Sequence, residues 1–183
     1  LYAFTNLYPN SDGLSRMFDP QQMTISGRWF LHYASVFNGF TQMPAVIGFF
    51  SVLFLSLAAA LAVAVLGLNS RVLSAFAGAV MAVFPPMGYT YLYLFTASAY
   101  AFAILCAVLA VWLAAKGGFP RWLAAVCLLA ISMGTYQAYA AVAVAFSLLS
   151  VLRAALLPQS TVKQTSLLGL RLVCFLLSGA LLY

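Results

Sequence analysis

Apolar residues come along this chain in long blocks rather than in alternation. After Pro44 an unbroken apolar run reaches Leu68, enough, as a helix rising about 1.5 Å per residue, to cross the roughly 30 Å hydrocarbon core of a bilayer. Asn69-Ser70-Arg71 ends it. A second run starts at Val72 and meets Pro85-Pro86, whose rings cannot continue a helical hydrogen-bond ladder. Residues 87 to 95 carry Tyr89, Tyr91 and Tyr93, rings with a polar tip that favour the membrane boundary. A third run, 95 to 115, closes at Lys116-Gly117-Gly118 and Pro120-Arg121.

From Trp122 to Leu152 the chain is apolar throughout, too long for one ordinary span and too short for two. Charge decides between the readings. A hairpin broken near Gly134-Thr135 puts Arg71, Lys116, Arg121, Arg153, Lys163 and Arg171 on one side and both aspartates on the other. A single long helix destroys that asymmetry, so the positive-inside rule selects the hairpin. Its arms are short, which leaves the Gly134-Thr135-Tyr136-Gln137 tip at membrane depth, where irregular backbone must be buried in protein or line a wet cavity. A last apolar helix begins near Leu167, with Arg171 snorkelling back to the boundary. The predicted fold is therefore all-α, a polytopic transmembrane helical bundle with helices at about 44 to 68, 72 to 86, 95 to 115, 122 to 134, 136 to 152 and 167 to 183.

Residues 1 to 43 form the loop that precedes these helices, polar from residue 5 onward and extracytoplasmic by the same charge argument. Within it, Gly27 to Phe40 has helical periodicity: Trp29, Phe30, Tyr33, Val36, Phe37 and Phe40 gather on one side of the wheel, opposite Arg28, His32 and Ser35. The pattern predicts an amphipathic interfacial helix with Ser26 as N-cap. The chain opens on Leu1 without a methionine and stops about a dozen apolar residues past Arg171, too few to span. It reads as a truncated part of one larger membrane domain.

Composition narrows the chemistry. Of 183 residues, 66% are hydrophobic and 5% charged, so the bilayer is the implied solvent and the first partner. The net charge of +6 does not indicate nucleic acid, because the basic residues punctuate apolar runs instead of forming a basic face. Cys106, Cys127 and Cys174 lie far apart inside apolar runs, which indicates neither a disulfide framework nor a zinc site.

Every carboxylate in the chain falls in one stretch, Ser11-Asp12-Gly13-Leu14-Ser15-Arg16 followed by Asp19 and then Gly27-Arg28. An aspartate beside an arginine at a lipid surface can take the proton of an acceptor hydroxyl while the cation holds a phosphate leaving group. Spacing alone favours the plainer alternative, a solvated loop in which Asp12 and Arg16 neutralise each other. Asp19 stands second as an acid, since aspartate before Pro20 more often opens a turn. His32 is solvated or touches a lipid head group. Tyr136 and Gln137 either hydrogen-bond a sugar or satisfy neighbouring backbone.

These residues, in this order, resemble the phage-type O-antigen glucosyltransferases, multi-span enzymes of the lipid-linked-sugar glycosyltransferase class. Such proteins carry an Asp-Asp-x-x-Arg-like element in a first outer loop, a Gly-Arg on an amphipathic helix and a later Tyr-Gln in an apolar segment. Here they read Asp12 to Arg16, Gly27-Arg28 and Tyr136-Gln137. The chain departs from the pattern at Gly13, where the second acid would stand, which leaves Asp12 alone and a divalent metal an open question; no other cofactor is indicated. The resemblance implies transfer of a sugar, glucosyl by analogy, from a polyprenyl-phosphate donor to a lipid-linked or cell-surface glycan such as lipopolysaccharide O-antigen, at the outer face of a bacterial inner membrane. On that reading Asp12 is the base or acceptor-orienting carboxylate, Arg16 and Arg28 clamp the donor phosphate, and Tyr136, Gln137 and His32 touch sugar or lipid. The competing readings are a non-catalytic transporter or flippase-like protein for lipid-linked sugars, whose broken helices line a path, and a structural subunit that binds a partner through its aromatic loop.

Overall fold

The computed structural model describes residues 26–38, 43–83, 90–91 and 93–183. All regular elements among them are helical. A short helix α1 (Leu31–Ala34) runs into a 3-10 turn (Ser35–Asn38), followed by α2 (Pro44–Leu66), α3 (Arg71–Val83), α4 (Leu94–Lys116), α5 (Phe119–Thr135), a 3-10 turn (Gln137–Tyr139), α6 (Ala140–Leu156) and α7 (Val162–Leu182). Four helices are long and apolar enough to cross a membrane: α2, α4, α6 with the turn before it, and α7. The chain is an all-α, polytopic helical membrane protein.

At the centre stands α4, which packs against α2, α5, α6 and α7. Its composition explains the position. Ala97, Ala99, Ala101, Ala103, Ala107, Ala110 and Ala114 are all buried on it, and small side chains let neighbouring backbones approach where lipid supplies no hydrophobic driving force between helices. The lower half of the bundle closes around Val111 of α4, Val126 and Leu129 of α5, Ala143 of α6, and Leu172 and Phe175 of α7. Ser132 on α5 donates from Oγ to the Ala103 carbonyl on α4 at 2.8 Å, a buried polar link between the two helices.

The helix ends sort into two groups. At one end Arg153 of α6 donates to the Val65 carbonyl in the last turn of α2 (3.1 Å), and Arg171 of α7 to the Ala115 carbonyl in the last turn of α4 (3.3 Å). Each guanidinium thus meets carbonyls that a helix terminus leaves unpaired. Lys116 lies 3.7 Å from the centre of the Trp112 ring, and Arg121 donates to the Gly117 carbonyl. At the opposite end lie residues 26–30, the α5–α6 break and the end of α7, joined by the contacts described below.

Several boundaries differ from the sequence reading. The last helix starts at Val162 instead of near Leu167, because Thr161 and Gln164 form a reciprocal capping box that makes a polar first turn helical. Helix α5 starts at Phe119, with Pro120 in its first turn, where a missing N–H costs nothing. The segment from Gly27 onward is not one long helix. Residues 26–30 form turns, and the helical portion is α1 with its 3-10 continuation. Ser26 is not the N-cap, which falls at Phe30 without a side-chain cap bond. Leu31, Ala34 and Ser35 are buried while Trp29, Tyr33 and Val36 are exposed: docking on α4 and α5 draws in Leu31, Ala34 and Ser35 and leaves the Trp29 and Tyr33 rings outside. Phe40 lies outside the described residues.

Candidate functional site

Residues 26–30 are fastened to the α5–α6 break at several points. The Phe30 N–H donates to the Gly134 carbonyl at 2.8 Å, one of the acceptors left open where α5 ends. The Trp29 ring rests on Gly134 so closely that a β-carbon there would fall 2.5 Å from Cε2 and 2.7 Å from Nε1. Gln137 donates from Nε2 to the Ser26 carbonyl (2.6 Å) and to the Tyr183 hydroxyl (2.7 Å). Tyr183 in turn donates its proton to the Gly27 carbonyl (2.8 Å). Gly27 has φ +72°, in the left-handed region that favours glycine, and a β-carbon on it would strike both Tyr183 and Gln137.

Between these anchors lies Arg28. Its Cζ is 4.7 Å from the centre of the Tyr136 ring, within cation–π range. The Arg28 Nε is buried and has no hydrogen-bond partner among the described residues, so the guanidinium is oriented by the ring and keeps donor capacity. Tyr136 stacks on Tyr100 of α4, with centroids 5.1 Å apart and planes 22° apart. Tyr139 stands edge-on to both rings and is hydrogen-bonded to Thr90. Beside this trio Phe30 stacks on Phe102, and Phe37 packs on Phe54 and Phe102. Burial pushes the Tyr91 phenol above its ordinary pKa, which keeps this neighbouring group neutral.

Of the residues singled out from sequence, the structure brings Arg28, Tyr136 and Gln137 together. His32 is exposed on α1, edge-on to Tyr33, and is not part of this group. Asp12, Arg16 and Asp19 lie outside the described residues, among which no three His, Cys, Asp or Glu side chains gather as a metal site would require. Tyr100, Tyr139 and Tyr183 were not anticipated. The i, i+3 spacing of Tyr136 and Tyr139, and a polar-tipped ring at Tyr100 inside an alanine-rich span, were the available signals.

Fold and site together define a polytopic membrane protein that holds a cation and a tyrosine stack at one end of its bundle. The chain belongs to the GtrII glucosyl transferase family: the family model described as Glucosyl transferase GtrII matches residues 1–183. It is a glycosyltransferase. No curated protein and no solved structure matches the chain.

Proposed function

We propose that this protein moves a glucosyl unit from a polyprenyl-phosphate donor to a lipid-linked or cell-surface glycan, with lipopolysaccharide O-antigen as the natural acceptor class, at the outer face of the bacterial inner membrane. The observation that carries this reading is Arg28, held over Tyr136 with donor capacity to spare, at the bundle end opposite Arg71, Lys116, Arg121, Arg153, Lys163 and Arg171. The concentration of later cations at the far end supports a cytoplasmic assignment for that end and an extracytoplasmic one for residues 5 to 43.

In the reaction the bond between the sugar C1 and the donor phosphate oxygen breaks, and a bond forms from C1 to an acceptor hydroxyl oxygen. The hydroxyl proton passes to Asp12, with Asp19 as the other acid within the same loop. The departing polyprenyl phosphate keeps the electron pair, and Arg28 together with Arg16 neutralises its charge. The Tyr136 face offers a flat apolar surface to the sugar or the first isoprene units. Membership of a sugar-transferring family favours covalent transfer over the conduit reading.

The test uses the full-length protein in lipid nanodiscs with radiolabelled polyprenyl-phosphate glucose as donor. Losing a charge-assisted contact of about 1.5–3 kcal/mol raises the donor KM about 10- to 150-fold in Arg28→Ala, with partial recovery in Arg28→Lys. Asp12→Asn lowers kcat. Undiminished turnover in Asp12→Asn removes that residue from the chemistry, and an unchanged KM in Arg28→Ala removes the phosphate clamp. Thiol labelling from intact cells at positions 12 and 163 checks sidedness, since both reacting from one side would dissolve the proposed arrangement.

A further inference from the structure

We infer that Gln137 and Gly134, together with Tyr183 just past α7, are positioning residues: they form a backbone seat that fixes where Arg28 stands, and they act on the donor only through it. This rests on the reading of Arg28 as the phosphate contact. Three hydrogen bonds bracket that residue, to the Ser26 and Gly27 carbonyls on one flank and from the Phe30 N–H on the other, and a fourth joins Gln137 to Tyr183. Among the described residues the guanidinium itself has its Nε open.

The donor accounting assigns Gln137 its role. A carbonyl only accepts, so the atom facing Ser26 must be the amide nitrogen, and that nitrogen carries two protons. Both are used, one on the Ser26 carbonyl and one on the Tyr183 oxygen. Tyr183 has a single proton and spends it on Gly27. Neither group has an N–H or O–H left for a sugar. Gly134 contributes its carbonyl to Phe30 and its missing side chain to Trp29. Because Tyr183 directly follows Leu182 of α7, the seat also ties the place of Arg28 to the docking of that helix.

The experiment is a double-mutant cycle in the full-length protein in nanodiscs, with radiolabelled polyprenyl-phosphate glucose as donor probe. Gln137→Glu keeps the size of the side chain and cannot donate to Ser26. It is expected to raise donor KM about tenfold with kcat within twofold, and to change KM less than twofold when added to Arg28→Ala. Hydrogen exchange of the peptide over 26–38 is the second readout, expected at least tenfold faster in Gln137→Glu and Gly134→Ala and unchanged in Arg28→Ala. Should Gly134→Ala fail to fold, Gln137→Glu and Tyr183→Phe carry the measurement. KM effects of Gln137→Glu and Arg28→Ala that multiply would put Gln137 on the substrate itself and overturn the inference while leaving the Arg28 reading intact. Unchanged exchange would overturn it as well, and an Arg28→Ala enzyme with normal KM would overturn both.

Discussion

Truncating Phe175 to alanine tests whether α7 docks as described and whether its outer face meets lipid. Phe175 is fully buried and packs in the cluster that joins α7 to α4 and α5 through Leu129, Leu172 and Val111. In water such a change would lose transfer free energy and leave a cavity. Within a bilayer the separated helices already hold the ring in hydrocarbon, so only the cavity matters. Removing the ring opens about 100 Å³, and at about 24 cal/mol per Å³ this amounts to about 2.4 kcal/mol, less whatever the neighbours recover by collapse. Leu177 on the same helix is 60% exposed, and Leu177→Ala leaves no cavity, so its cost is expected below about 0.5 kcal/mol. The assay is reversible unfolding of the full-length protein by SDS titration in bicelles. A Phe175→Ala cost below about 0.5 kcal/mol would refute the docking, and a Leu177→Ala cost equal to that of Phe175→Ala would refute the lipid-facing assignment.

Substitutions at two further positions probe the two ends of the bundle. Tyr136→Phe preserves the stack on Tyr100 and the seat under Arg28, so donor KM should stay within about threefold; Tyr136→Leu loses both contacts, about 1–2 kcal/mol together, and should raise KM about 5- to 30-fold. Equally large effects from the two changes would mean that the hydroxyl matters and the ring does not. At the opposite end, Arg153→Met removes the donor to the Val65 carbonyl and should lower stability by about 1 kcal/mol in the same SDS titration, with Arg153→Lys recovering part of it.

The outline of the fold could be read from hydropathy and charge because those signals are local. Runs such as 44 to 68 and 95 to 115 announce helices by length alone, and the break at Gly134-Thr135 followed from placing the cations. Helix termini were less legible where polar residues are helical, as in the turn after Thr161, although the Thr161 and Gln164 pair was a readable cap. The central position of α4 has one local trace in the sequence, its run of alanines. The site divides the same way. Gly27-Arg28 and Tyr136-Gln137 stand out as polar groups in apolar surroundings, whereas the bonds that hold them, Gln137 to Ser26 and Tyr183 to Gly27, cross 111 and 156 residues of chain. Those depend on where whole helices end. The hydrogen bonding of Gln137, the fit of Trp29 on Gly134 and the arrival of Tyr183 are three-dimensional facts with no periodic trace.

The two guanidinium contacts at the cationic end bear on how the protein is made. Helix α2 leaves the ribosome well before Arg153, the partner of its Val65 carbonyl 88 residues later, and α4 precedes Arg171, the partner of its Ala115 carbonyl, by 56 residues. During synthesis the tails of both early helices therefore remain open to water or lipid head groups until the later pair enters the membrane. Chains that stall before α6 lack both grips.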